Sequence, residues 1–193
     1  SIGANVVIAH YIGRQDEKGI INAISTTAII AVTSGIFLLI TGLLIAKPIL
    51  EALDTPEDVI DLAVLYLRIY SLGMPFMMIY NFGAAILRSL GDTKRPFYSL
   101  VVAGAINVGL NLLLVIEFEM SVAGVAVATV ISNIVNAGII VFFLTHEKGV
   151  FRLELKQLSI SKAELKKILQ IGVPAGIQGM VFSISNVFVP VSY

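Results

Sequence analysis

The sequence predicts an all-α integral membrane protein that folds as a polytopic helical bundle. Its mean hydropathy is +0.93, and 57% of its 193 residues are hydrophobic. Only 13% are charged, whereas soluble domains carry about 25% charged residues. Several segments are free of charge over the length of about 20 residues that a helix needs to cross a bilayer. These segments are 20–46, 97–116, 122–145 and 168–193.

Two further segments complete the predicted spans. Residues 2–12 are mostly apolar without a charged region before them, which predicts a truncated span and not a signal peptide. Residues 62–87 carry a single charge, Arg68, and Pro75 follows Gly73 there, which predicts a kink. The prediction is therefore one partial span and five full ones. Because the chain starts inside an apolar run, we expect it to be a piece of a longer protein.

The charged residues alternate between the predicted loops. Loops 13–19, 88–96 and 146–167 hold eleven of the 13 Lys and Arg residues, and the two loops between them hold one. Basic residues accumulate in the cytoplasmic loops of membrane proteins. The sequence therefore predicts that these three loops are cytoplasmic, in a multi-pass protein of the cell (inner) membrane.

The longest predicted connection, 146–167, is the candidate boundary between two bundles. Ser161 precedes KAELKK and is a suitable N-cap, which predicts an amphipathic helix leading into the last span. From the pattern alone, an ordinary interfacial loop explains this segment equally well.

Asparagines lie inside two neighbouring predicted spans. Asn107 and Asn111 share a face of one span, and Thr129 and Asn133 share a face of the next. Counting about 1.5 Å per residue inward from the span ends places Asn111 at the depth of Thr129, and Asn107 at that of Asn133. The sequence thus predicts two polar contacts between antiparallel helices, Asn111 with Thr129 and Asn107 with Asn133, which we call the rungs. Such amides either hold helices together or line a cavity for ions or substrate, and the pattern favours neither.

Other residues in the spans have more ordinary interpretations. Arg68 is close enough to the outer membrane edge to snorkel, and the methionines beside Pro75 are expected to pack. Gln178 either lines a pore or is structural. No metal site is predicted, because the histidines have no partners at ligand spacing. The sequence lacks the common catalytic motifs, which argues against an enzyme, and topology explains its basic residues without nucleic acid.

Four stretches of the sequence carry a family resemblance. LRSLGDTKRP at 87–96 is followed by a span with Asn-x-x-x-Asn and then by SVAGVAVATVIS at 121–132. The first stretch of the chain is SIGANVVIAHYIGRQDEKG at 1–19, and the last is IGVPAGIQGMVFSISN at 171–186. In this order, and over nearly the whole chain, they resemble the multidrug and toxic compound extrusion (MATE) family.

The resemblance implies a two-lobe, 12-helix MATE-type transporter, of which this chain supplies the part from within helix 2 to helix 7. Residues 1–145 would be the N-terminal lobe, with part of helix 2 and helices 3 to 6. Residues 146–167 would be the cytoplasmic inter-lobe connector, and 168–193 the first helix of the C-terminal lobe. Its partners would be the lipid bilayer and the remaining helices of the same transporter.

The resemblance also implies a cation-coupled antiporter with Na⁺ or H⁺ as the coupling ion and no covalent cofactor. It would export amphipathic, often cationic, drugs or toxic compounds by alternating access. Family cation-site positions match Asn107, Asn111 and Thr129, although several members carry Asp where Asn111 stands here. Asn133 and Gln178 would complete the cavity that binds cation and substrate.

Pro75 would be the hinge that lets its span bend during transport. Two other functions remain as alternatives. A lipid-linked oligosaccharide flippase of a related fold would need a cavity lined with cationic residues, and Arg68 is the one charge within these spans. In a non-transporting membrane scaffold, the polar rungs would only hold helices together.

Overall fold

The computed structural model describes residues 2–119, 122–147, 149–154, 158 and 160–188. Within these ranges the regular elements are all helical, which confirms the predicted all-α class. They are α1 (Ile2–Gly13), α2 (Glu17–Ala52), α3 (Glu57–Leu72), α4 (Met74–Ser89), α5 (Lys94–Leu112), a π turn (Leu113–Glu117), α6 (Val122–Thr145), a 3-10 turn (Gly149–Phe151) and α7 (Lys162–Phe188). Four of these helices are long and apolar enough to cross a bilayer, and the bent pair α3–α4 supplies a fifth span. The protein is therefore a multi-pass membrane protein.

The longest described helix, α2, has 36 residues. It begins after the N-cap Asp16, whose carboxylate accepts a hydrogen bond from the Gly19 N–H at 3.0 Å. It continues beyond the predicted span end and includes Lys47 and Pro48. A helix of this length measures about 54 Å, and the hydrocarbon core of a bilayer is about 30 Å thick. Its ends therefore extend beyond the apolar region.

The predicted kink at Pro75 is confirmed. α3 and α4 form one span that breaks at Gly73 and bends by 43°. Pro75 lies in the first turn of α4, where its missing N–H leaves no intrahelical bond unmade. The span therefore contains a break near its middle.

The centre of the bundle consists of α2, α4 and α6. α2 packs against α1, α3 and α4, α6 packs against α3, α4 and α5, and α7 lies against α1 and α2. The largest fully buried aliphatic side chains are Ile8, Ile24, Ile86, Leu87 and Ile140. Large apolar side chains also face outward, including Phe37 at 67% and Leu44 at 71% exposure. Outward apolar surface is expected where helices meet lipid.

An ionic cluster holds the turn between α4 and α5. Asp92 Oδ1 accepts hydrogen bonds from the backbone N–H groups of Lys94 and Arg95, at 3.0 and 3.1 Å. The Arg95 guanidinium forms ion pairs with Asp92 and with Glu147, just after α6. Burial would raise the pKa of Asp92, but the hydrogen bonds and charge of Arg95, with the Lys94 N–H, hold that pKa below its usual value.

The lowered pKa predicts an acid-dependent contribution to stability. The Asp92 carboxylate stabilises the fold above its unfolded-state pKa, and this contribution is lost as the pH falls through the folded-state pKa. Asp92→Asn should therefore lower the free energy of unfolding at about pH 7 by about 1 kcal/mol or less, because the pair is partly exposed. Thermal unfolding in detergent measures this loss. The exposed Asp61→Asn is the control. If Asp92→Asn lowers the stability by the same amount at about pH 3 as at about pH 7, the Asp92 carboxylate is not the source of the effect.

The amphipathic helix predicted after Ser161 is confirmed. α7 begins at Lys162, directly after Ser161, and it continues without a break into the span predicted from residue 168. Before it, the Leu153 N–H donates to the Leu144 carbonyl at 2.9 Å, which ties the connection to α6. Residues 189–193 of the predicted span lie outside the described residues, and the division into lobes and connector stays a prediction.

Candidate polar site between α5 and α6

Small residues bring α5 and α6 close together. The Ser99 hydroxyl donates to the backbone and side-chain oxygens of Asn136. The Ser132 hydroxyl donates to the Ala103 carbonyl at 2.9 Å. All four residues are buried. Together the two contacts set the antiparallel register of the helices, because a step of four residues along α5 matches four in the opposite direction along α6.

This register corrects the predicted rungs. Continued by one more turn, it places Asn107 level with Ala128 and not with Asn133. The same offset of about five residues, or ~7 Å along the axis, separates Asn111 from the level of Thr129. The prediction counted depth from the span ends. The register instead follows the closest approach of small side chains, which governs helix packing in membranes.

Asn107 and Asn111 form an amide pair on one face of α5, as their spacing predicts. Asn111 Nδ2 donates to Asn107 Oδ1 at 2.9 Å. Asn111 Oδ1 is buried and has no hydrogen-bond partner in the described part of the chain. Leaving a buried acceptor unsatisfied costs roughly 1–3 kcal/mol. This oxygen is therefore a candidate ligand for a bound group.

The backbone changes its helical form directly after this pair. α5 ends at Leu112, and Leu113–Glu117 form a π turn. Such turns occur frequently at functional sites, because the wider turn displaces side chains from their usual positions. Hydropathy carries no signal for a π turn, and the sequence predicted regular helix here.

The described hydrogen bonds join neither Thr129 nor Asn133 to the amide pair. The Thr129 hydroxyl donates to the Val125 carbonyl of its own helix at 3.0 Å. Asn133 faces the break between α3 and α4, since a Cβ built on Gly73 would lie 2.9 Å from its Nδ2. That Nδ2 is buried and without a partner among the described residues. The predicted residues therefore divide into the pair on α5 and a separate amide at the break.

The break in the α3–α4 span is enclosed by two helices. Asn133 of α6 lies against Gly73, and on the α2 side a Cβ built on Gly35 would lie 2.4 Å from Pro75 Cα. The backbones of α2 and α4 are thus in direct contact at the break. The predicted hinge Pro75 sits in this tight contact, and its movement during transport stays a prediction.

Gln178 lies on α7 and is exposed. Because α7 packs against α1 and α2, the structure does not join Gln178 to the amides of α5 and α6. A role for Gln178 in a central cleft stays a prediction. Among the described residues, no group of three or more His, Asp or Glu side chains is placed to hold a metal ion.

Comparison with protein families identifies the relationship. The family model MatE matches residues 1–113, which is more than half of the chain. The chain belongs to the MATE family. Members of this family are transporters and not enzymes.

A curated relative of this MATE chain is named as a probable multidrug resistance protein. The chain is 31% identical, over 97% of its length, to the probable multidrug resistance protein YoeA of Bacillus subtilis, and it covers 42% of that protein. The chain spans about two fifths of the length of the curated relatives it matches.

Solved MATE structures in two conformations match the chain to different extents. A multidrug resistance MATE family transporter in an outward-facing conformation matches with a TM-score of 0.88 and 26% identity, over 97% of this chain and 42% of the other. One in an inward-facing conformation matches with a TM-score of 0.82 and 27% identity, over 89% of this chain and 39% of the other. The chain has the MATE fold, and more of it superposes on the outward-facing structure.

Some contacting residues of this MATE chain were not predicted from the sequence. The hydrogen bonds of Ser99 and Ser132 were missed, although the four-residue spacing of Ala128 and Ser132 is a recognisable sign of a close helix contact. Asn136 follows Asn133 by three residues on the same helix, but its contact with Ser99 appears only in the structure. Glu164 lies in the predicted amphipathic helix, and only the tertiary structure shows that it is buried.

Proposed function

We propose that this chain is part of a cation-coupled antiporter that exports amphipathic, often cationic, small molecules by alternating access. Relatives named for multidrug resistance and multidrug export support the substrate class. The observation that carries the proposal is the amide pair of Asn107 and Asn111, with the buried Asn111 Oδ1 beside a π turn. A polar group at this depth in a membrane is expensive to keep unless it has a partner or a function.

The chemistry of the pair favours Na⁺ over H⁺ as the coupling ion in this part of the protein. Hard cations prefer oxygen ligands, and the pair offers an amide oxygen without a competing donor. An amide does not titrate near neutral pH, so it cannot itself carry a coupling proton. Proton coupling would need a carboxylate elsewhere in the full transporter.

The charge distribution supports an orientation in the cell (inner) membrane. We call the side of the bundle with loops 13–19, 88–96 and 146–167 the basic end, and we place it in the cytoplasm because basic loops are retained there. Residues 1–145 would then form one lobe and 146–167 the connector. Residues 168–193 would begin the second lobe, whose remaining helices would face Gln178 across a central cleft.

Transport would proceed by switching between two arrangements of the lobes. A cation bound at the amide pair shifts the population only if it binds one arrangement more tightly than the other. We infer that it favours the arrangement that releases substrate outside. The bend at Pro75 supports a change of shape within the same lobe, since the α3–α4 span is already broken there.

The full-length transporter tests this function. It is reconstituted in liposomes, and the movement of a cationic dye is followed under an imposed Na⁺ gradient or an imposed proton gradient. We expect dye movement driven by the Na⁺ gradient and lost when an ionophore collapses it. Protein-free liposomes are the control. If neither gradient moves any dye, the antiporter proposal is wrong.

A further inference from the structure

α1 and α7 make direct backbone contact. A Cβ built on Gly3 would lie 2.3 Å from the Ile168 carbonyl oxygen and 2.8 Å from the Gly172 nitrogen. No side chain fits at this position. Small residues allow such close approach of membrane helices. The contact matters because α1 belongs to the proposed first lobe and α7 begins the second.

Toward the basic end, one hydroxyl joins the same two helices. The Tyr11 hydroxyl donates to Glu164 Oε1 at 2.7 Å, and Lys167 Nζ donates to the Tyr11 hydroxyl at 2.5 Å. Lys167 Nζ also lies 4.9 Å from the centre of the Tyr11 ring, within the range of a cation–π contact. Tyr11 is 6% exposed and Glu164 is 5% exposed. The centre of the cluster is therefore buried between the helices.

The segment leading into α7 is also attached to α2. The Ser161 N–H donates to the Thr26 hydroxyl at 3.0 Å, and Thr26 is fully buried. The start of α7 thus contacts both α1 and α2, and it covers Thr26 at the basic end.

The bonding of Glu164 is incomplete. Its Oε1 is hydrogen-bonded, but its Oε2 is buried without a partner among the described residues. Burying a carboxylate is costly unless both oxygens have hydrogen-bond partners. This contact therefore stabilises the helix pair less than a fully bonded ion pair would. Such a contact can hold one arrangement of two helices and still release it.

We propose that Tyr11, Glu164 and Lys167 form a latch that closes the basic end of the transporter while the opposite end is open. The proposal rests on the proposed function, since it assigns the latch to one of the two transport states. It agrees with the more extensive superposition on the outward-facing relative. The three side chains are positioning residues, because they act on the relation between the lobes and not on the transported molecule.

Accessibility of Thr26 tests the latch. Thr26→Cys is introduced into the full-length transporter made otherwise free of cysteine, and this chain has none of its own. Inverted vesicles expose the basic end to a membrane-impermeant maleimide, and the labelling rate is measured. We expect slow labelling in this parent, because Thr26 is covered. Tyr11→Phe and Lys167→Met should each raise the rate roughly threefold or more, as the open arrangement becomes more populated.

Matched controls separate the latch from general loosening. Lys166→Met changes the neighbouring exposed lysine of the same helix, and Tyr98→Phe removes an exposed hydroxyl. Both should label at the parent rate. The thermal midpoint of each variant is measured alongside. If Tyr11→Phe fails to fold, Lys167→Met decides, because Lys167 is exposed and its stem is retained.

If both latch variants are labelled at the parent rate, the latch proposal is wrong. This holds even if the transporter exports dye. Faster labelling with a lowered thermal midpoint in both variants would also overturn it, in favour of a purely structural contact. The labelling needs no transport, so absence of dye movement would count against the antiporter alone.

Discussion

Gly35→Ala should destabilise the bundle by about 2 kcal/mol or more, since overpacking a tight contact forces the backbone to shift. The added Cβ would meet Pro75 Cα at 2.4 Å and the Pro75 carbonyl oxygen at 3.2 Å. Most of these atoms belong to the backbone, so no rotamer change relieves the clash. The bend at Gly73 would have to move away from α2. Thermal unfolding in detergent measures the effect.

Gly138→Ala is the matched control. Gly138 lies inside α6, and nothing lies within 4 Å of a Cβ built there. Alanine is a better helix former than glycine by about 1 kcal/mol in a helix interior, so this variant should be neutral or slightly more stable. Equal midpoints for Gly35→Ala and Gly138→Ala would show that α2 and α4 are not in contact at Pro75.

Asn111→Leu should reduce dye export by the full-length transporter about tenfold or more, the scale on which loss of a ligand or its support lowers activity. The substitution keeps the approximate size of the side chain and removes the buried Oδ1. It also removes one hydrogen bond, from Asn111 Nδ2 to Asn107 Oδ1. Because Oδ1 has no partner among the described residues, the fold should tolerate the change. Export and thermal midpoint are measured on the same preparations.

Asn111→Asp distinguishes a ligand from a packing residue. It retains an oxygen at the same place and adds a titratable group, so export should survive and become dependent on pH. If the Asn111→Leu variant exports dye as well as the parent does, the amide pair is only a packing feature of α5 and not a ligand. The outcome also bears on the coupling ion, since the parent pair cannot titrate.

Much of the architecture follows from local properties of the chain. The spans are recognised because a bilayer demands about 20 apolar residues in a row, and the kink is predicted because a proline interrupts a helix and is tolerated in the first turn of a new one. The amide pair on α5 follows from a spacing of four residues, which places two side chains on one helix face. Such features depend on residues near each other in sequence.

The errors concern relations between distant residues. The rungs between α5 and α6 were misplaced because depth counted from a span end ignores where Ser99 and Ser132 let the helices approach.

Hydropathy, charge alternation and spacing suffice to predict a helical membrane protein, its order of spans and the residues that are polar at depth. The partners of those residues depend on how helices far apart in sequence pack. Asn133 meets Gly73 and not Asn107, and Glu164 is buried against Tyr11. The physical reason is that helix packing in a membrane depends on close fit and on satisfied polar groups, and both arise only when the helices are assembled.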